Sequence, residues 1–268
     1  EKDYLTDVIS AKAADFIRRS VSQYPTHPFF AYVAPYAPHS PATPAPRHEN
    51  LFKDTIAPRT PAFNESDVSD KPNWVQSTAP LDAVQIDDMD RLYRKRRQSL
   101  MAVDELVQNL VNTLQSTGEL ANTYILFASD NGFHQGQHRL ESGKDTAYEE
   151  DLIVPLSVRG PGVPAGRVVV QYTANVDYAA TFADIAGIRP AAFVDGRSLM
   201  PFLKGQTPTS WRQALLLEHK GGSSGQRRDA SSTWEPSDPF ELQASQPGIE
   251  PFLGLRLADG RSYVEYDT

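Results

Sequence analysis

The chain has no cysteine in 268 residues. That removes disulfides, thiolate metal sites and cysteine nucleophiles together. It does not fix a compartment, because an oxidising one permits disulfides without requiring them. Long hydrophobic runs are also missing: none approaches the ~20 apolar residues that span a bilayer. No signal peptide is visible, the first residue is Glu1 rather than Met, and Glu1-Lys2-Asp3 reads as the middle of a protein. Positive charge is in deficit, with 26 Lys and Arg against 34 Asp and Glu and a net charge of −8. Such a chain is a poor general binder of polyanions. An anionic ligand must then be held by local positive charge or by metal. What is present is a globular composition, 40% hydrophobic and 10% aromatic, enough for one or two domains with a real core.

The most informative stretch runs from Thr123 to Lys144. The apolar run Tyr124–Ala128 reads as a buried strand, and it stops on Ser129-Asp130-Asn131-Gly132. Strands of α/β proteins present ligands at such ends. Asp130 and Asn131 offer a carboxylate and an amide carbonyl, hard donors suited to calcium or magnesium. A bland alternative is a turn built on Asp-Asn-Gly. His134 and His138 have metal-ligand spacing if helical, but Gly132 and Gly136 argue against a regular helix there. Lys144 adds a point charge for an anionic group.

Upstream, Tyr4–Ser20 reads as an amphipathic helix with Leu5, Ile9, Ala13, Phe16 and Ile17 on its apolar face. Phe29–Ala34 reads as a buried strand that delivers His39 in a proline-rich loop. Residues 42–83 are irregular and proline-scattered. A segment of that length in a compact domain points to a function. Asn64-Glu65-Ser66 is a glycosylation sequon, a common pattern that matters only in a eukaryotic secretory protein. Met89–Thr117 is predicted helical, with Gly118 as its cap. Its basic run Arg91, Arg94, Lys95, Arg96 and Arg97 could suggest nucleic acid; in an acidic chain without a matching motif it reads as a solvated helix start touching neighbouring acids. Asp87 and Asp88 read as structural acids preceding that helix.

Downstream, a helix followed by the strand at 123–128 predicts a parallel pairing. Residues 148–151 read as a short connection. Val154–Val158 and Val168–Tyr172 read as strands, and Val176–Ala186 as a helix capped by Asn175 or Asp177. Asp195–Leu199 with Pro201–Leu203 reads as structural. Ala214–Glu218 reads as a strand, 221–248 as a mobile loop, and Phe252–Leu257 with Ser262–Tyr266 as a hairpin around Asp259-Gly260.

The order Ser129-Asp130-Asn131-Gly132-Phe133-His134-Gln135-Gly136-Gln137-His138-Arg139-Leu140, Gly143-Lys144, Tyr148–Asp151 and Val154–Gly162 resembles the catalytic C-terminal half of the sulfatases, notably N-acetylglucosamine-6-sulfatases and arylsulfatases. The resemblance runs from about Asp3 to Gly205. It implies an α/β, alkaline-phosphatase-like mixed sheet flanked by helices, with a small antiparallel C-terminal part. Residues 1–205 would be the C-terminal portion of the catalytic domain, and 206–268 the start of the antiparallel subdomain. By the same resemblance Asp130 and Asn131 are calcium ligands, with magnesium second. His39 and Lys144 are catalytic and contact the sulfate, and His138 lies on the substrate side. The implied substrate is a sulfated sugar, such as 6-sulfated N-acetylglucosamine of a glycosaminoglycan, or an aryl sulfate. No nucleic-acid partner or membrane span is implied, and the setting would be secreted, periplasmic or lysosomal.

Two departures stand out. The Cys/Ser-x-Pro-Ser-Arg motif that yields the formylglycine nucleophile does not occur in this sequence, nor does the family's first aspartate pair. Both are expected upstream of Glu1, so the 268 residues alone are expected not to turn over. The competing readings are a phosphonate or phosphate ester hydrolase of the same fold and a non-catalytic carbohydrate-binding remnant.

Overall fold

A computed structural model describes residues 3–220 and 249–266; the loop expected at 221–248 lies outside them. The chain divides into two compact units. The first holds the described residues of Glu1–Ala121 with Phe133–Lys144. The second holds those of Asn122–Gly132, Asp145–Gly222 and Ile249–Thr268.

The first unit is built on two packed helices, α1 (Leu5–Gln23) and α3 (Ala83–Ser116). The stripe α1 buries is Thr6, Ser10, Ala14 and Ile17, rotated from the expected one; Leu5 and Phe16 are exposed. Small residues at the seam let the helices approach, and Asn109 Nδ2 of α3 donates to Ser10 Oγ at 2.9 Å. Helix α3 begins six residues before the predicted start. Asp82 accepts from the amides of Val84 and Gln85, while the Gln85 side chain accepts from the Asp82 amide. This reciprocal cap satisfies donors that a helix start otherwise leaves bare. Asp87 and Asp88 therefore lie inside the helix rather than before it, and both pair with Arg91. Met89, Ala102, Val103, Leu106 and Leu114 face the core.

Helix α3 is the post to which the irregular segment is tied. Gln98 donates to the carbonyls of Glu49 and Leu51 at 2.8 and 2.7 Å, and Arg94 to Thr55 O. Arg97 lies over the Phe52 ring, and Asp90 receives both Arg59 and the Ala57 amide. The basic run thus meets loop carbonyls and aromatic faces more than acids. A 3-10 turn at Pro46–His48 carries Arg47, which bridges Asp7 of α1 and Glu105 of α3. The Arg47 hydrogen bond holds the Glu105 carboxyl below its usual range. A one-turn helix α2 (Asn73–Gln76) buries Trp74 and Val75.

One expected feature differs. Phe29–Ala34 forms no strand, and Phe30 and Tyr32 are 63% and 81% exposed. Its composition suits a pleated, half-buried surface, but a strand is made by a ladder, and none forms here among the described residues. In the sequon, Asn64 Nδ2 donates to Leu81 O at 3.1 Å and Asn64 Oδ1 accepts from Leu81 N at 2.8 Å. This pair of bonds ties the irregular segment to the base of α3.

The second unit pairs β1 (Ile125–Ala128) with β2 (Leu156–Arg159), Ile125 opposite Arg159 and Ala128 opposite Leu156. The pairing is antiparallel, not parallel as the helix–strand order suggested. The return from β1 to β2 runs through a loop and a single-turn helix α4 (Glu149–Leu152), where a plain connection was expected, rather than through a long crossover helix. Nor is β1 fully buried: Phe127 is 42% exposed. Helices α5 (Asp177–Ile185) and α6 (Met200–Leu203) supply its core. Leu199, Met200, Phe202 and Leu203 pack with Tyr124, Leu156, Val158 and Trp211. Val168–Tyr172 forms no strand, and Val168 and Val170 stand exposed. A meander of β3 (Ala214–His219), β4 (Phe252–Leu257) and β5 (Ser262–Tyr266) realises the expected strand and hairpin.

A buried ion pair organises this unit. Asp177 is fully buried and accepts from the amides of Ala174 and Arg197 at 2.9 and 2.8 Å. It also takes both arms of Arg212 at 2.6 and 2.5 Å. Asp177 is therefore a hub for three loops rather than a helix cap, and the 195–199 segment meets it through the Arg197 amide. No helix among the described residues is long and apolar enough to cross a membrane.

Candidate active site

Strand β1 ends at Ala128, and the next residues are shaped by short local bonds. Asp130 is exposed, and its Oδ1 accepts from the Asn131 amide at 2.9 Å. Asn131 Nδ2 donates to Gly132 O at 2.8 Å, so its nitrogen is committed and its oxygen is the donor atom left for a cation. Asn175 Nδ2 reaches back to the carbonyls of Ser129 and Asp130 at 3.2 and 2.9 Å. The sequence suggested only a helix cap for Asn175, whereas its side chain braces the turn that carries the metal-type donors. The Gly132 amide donates to Asp151 O at 2.8 Å, and a Cβ at this glycine would sit 2.0 Å from Glu150 O. Glycine is thus required for the close approach of the Asp-Asn-Gly turn to α4. Asp151, behind it, is buried and accepts from the Thr146 amide and hydroxyl at 2.9 and 2.7 Å.

Calcium prefers six to eight oxygen ligands. Asp130 and Asn131 are of the right chemical kind and fit as part of such a shell. Among the described residues, no group of three or more His, Cys, Asp or Glu side chains could hold a metal ion. The two residues are a partial donor set.

The first unit holds the other predicted residues. His39 stands in a loop of consecutive turns: its amide donates to Tyr36 O, and its carbonyl accepts from the Ala42 amide, both at 2.9 Å. Its Nδ1 lies 3.0 Å from Ser40 O, which also accepts from the Tyr36 hydroxyl. A carbonyl can only accept, so in this bond Nδ1 is the donor. The Tyr36 ring lies against the imidazole, centroids 4.8 Å apart.

His134 and Gly143 exchange backbone bonds at 2.9 and 3.1 Å, and this small bridge leads directly into half-buried Lys144. His134 is 1% exposed and belongs to the loop's interior. No helix forms across Gly132–Leu140, as the two glycines argued. Gly136 has φ +97°, and a Cβ there would meet the Phe63 ring at 2.3 Å. His138, at φ +58°, donates its amide to Ala62 O and places Nδ1 2.6 Å from Glu65 Oε1. Arg139 completes the clamp by donating to the carbonyls of Glu65 and Ser66. Glu65 is the residue in the irregular segment that sequence reasoning did not single out. Nothing in Asn64-Glu65-Ser66 marks it, because its partner lies 73 positions away.

The structure therefore gathers His39, His138 and Lys144 into one compact unit and Asp130 with Asn131 into the other.

The Sulfatase family pattern matches residues 1–188 of the chain. Human N-acetylglucosamine-6-sulfatase is 41% identical over 224 residues, covering 82% of this chain and 39% of that protein. The extracellular sulfatase SULF-1 homolog of Drosophila melanogaster is 36% identical over 261 residues, covering 94% and 23%. Among solved structures, BT4656 in complex with its substrate D-glucosamine-2-N,6-O-disulfate has a TM-score of 0.68 at 24% identity, covering 99% of this chain and 63% of that one. The phosphonate monoester hydrolase of Agrobacterium radiobacter has a TM-score of 0.66 at 23% identity, covering 98% and 55%. The chain belongs to the sulfatase family, and its fold is the alkaline-phosphatase-like α/β fold of sulfatases. It spans about 39% of the length of the N-acetylglucosamine-6-sulfatases it matches. Members of the family are generally formylglycine- and divalent-metal-dependent.

Proposed function

We propose that the protein is a sulfuric ester hydrolase that removes sulfate from a sulfated sugar, with 6-sulfated N-acetylglucosamine of a glycosaminoglycan as the favoured substrate. The observation that carries this is the retention of Asp130, Asn131, His39 and Lys144 on separately braced loops, in a chain 41% identical to an N-acetylglucosamine-6-sulfatase. Residues 1–205 act as catalytic-domain sequence, and 206–268 as the start of the antiparallel part. A secreted, periplasmic or lysosomal setting suits such a substrate.

Lys144 binds the sulfate as a point charge and lowers the cost of the negative charge that grows on the bridging oxygen. His39, with Nδ1–H held by Ser40 O, presents Nε2 to the same group and protonates the departing alkoxide. His138 is a substrate-side residue whose ring is fixed by Glu65. Asp130 and Asn131 would hold calcium through their side-chain oxygens. When bound, the ion draws charge from the sulfate oxygens. The Cys/Ser-x-Pro-Ser-Arg motif from which the family makes its formylglycine nucleophile does not occur in these 268 residues.

The test is release of inorganic sulfate from 6-sulfated N-acetylglucosamine by the full-length protein, before and after chelation. Sulfate release that falls at least about 10²-fold on chelation and returns with calcium is the expected result. Faster turnover of a phosphonate monoester than of any sulfate ester would favour the second reading, which rests on the shared fold of the phosphonate monoester hydrolases. Calcium-dependent sugar binding without hydrolysis would favour a binding role.

A further inference from the structure

Within the basic run of α3, Arg94 and Arg97 meet the irregular segment through Thr55 and Phe52. Arg96 differs. Its Nη1 donates to Pro38 O at 3.2 Å, and its guanidinium lies 4.0 Å from the centroid of the Phe133 ring. Pro38 immediately precedes His39, and Phe133 opens the segment that ends in Lys144. Burial pulls this guanidinium down to about 10, and among the described residues no carboxylate offsets it. Desolvating a cation without a counter-ion costs free energy. Here a carbonyl and an aromatic face take the place of the counter-ion.

We propose that Arg96 is a positioning residue that fixes the Pro38–His39 peptide against Phe133, so that its effect on turnover runs through His39. The inference rests on the reading of His39 as the proton donor to the leaving group. The His39 amide and ring are tied to Tyr36 and Ser40, and Arg96 adds a hydrogen bond to the peptide that precedes it. A displacement of about 1 Å at a reacting group can cost about 10²-fold in rate. Lysine is not an equivalent, because it has neither the planar fork nor the stacking face.

The experiment measures kcat of the full-length protein on 4-nitrophenyl sulfate and on 6-sulfated N-acetylglucosamine, for wild type, Arg96→Met, Arg96→Lys, His39→Ala and Arg96→Met/His39→Ala, with Tm of each. Both Arg96 variants are expected to lose about 10–10²-fold on the sugar ester. They should lose less on the aryl ester, whose leaving group needs little protonation. Added to His39→Ala, Arg96→Met should cost less than about 3-fold more, because the two act as a unit. Independent, multiplying losses would overturn the proposal, as would full recovery in Arg96→Lys. Equal losses on both esters that track a fall in Tm would assign Arg96 to stability alone. If Arg96→Met does not fold, Arg96→Lys carries the comparison. Wild-type turnover in His39→Ala would remove His39 as the proton donor and the Arg96 proposal with it, while sulfate release by wild type would leave the proposed activity standing.

Discussion

Lys144→Ala in the full-length protein is expected to lower kcat for sulfate ester hydrolysis by about 10²–10³-fold, with Tm changed by no more than about 2 °C. The magnitude is that of removing one preorganised group aimed at developing oxygen charge. The small stability effect follows from the position. Lys144 is half-buried, and the His134–Gly143 bridge before it is made by backbone atoms that the substitution leaves in place. His39→Ala should behave alike on poor leaving groups. Steady-state kinetics with thermal denaturation on the same preparations checks this, and rates within about 3-fold of wild type in both variants would refute the assignment.

The largest stability effect is expected at Asp177. In Asp177→Ala the two arms of Arg212, whose side chain is 8% exposed, lose their carboxylate and remain desolvated. The amides of Ala174 and Arg197 lose their acceptor in the same step. Breaking a buried pair from one side costs about 3–5 kcal/mol. For a chain of this size that corresponds to a fall in Tm of about 6–20 °C. Arg212→Met should cost a similar amount by stranding the carboxylate. A double change to apolar residues of similar volume should be milder than the sum of the two, because neither charge is left alone. Thermal or urea denaturation of the three variants reads this directly. A shift below about 2 °C in Asp177→Ala would mean that water reaches the pair.

What could be read from the sequence follows from the range of the interactions. Helix α3, the β4–β5 hairpin and the refusal of 132–140 to form a helix depend on neighbours a few positions apart, so periodicity and glycine placement exposed them. The start of α3 was also local: Asp82 and Gln85 have capping-box spacing, but the apolar stripe drew attention to Met89 instead. Phe29–Ala34 and Val168–Tyr172 have the composition of strands and form none, because a strand needs a partner that its own residues do not specify. The antiparallel β1–β2 pairing escaped for the same reason. Of the proposed site residues, Asp130, Asn131, His39 and Lys144 were marked by the order of motifs along the chain. Glu65, Asn175 and Arg96 were not, since each acts on a residue 45 to 73 positions away.

A crystal structure of the full-length protein with 6-sulfated N-acetylglucosamine and calcium tests the central claim most directly. The account predicts sulfate oxygens within hydrogen-bond distance of Lys144 Nζ and His39 Nε2, and calcium coordinated by side-chain oxygens of Asp130 and Asn131. A bound sulfate that touches neither Lys144 nor His39, or a calcium ion held without Asp130 and Asn131, would contradict it.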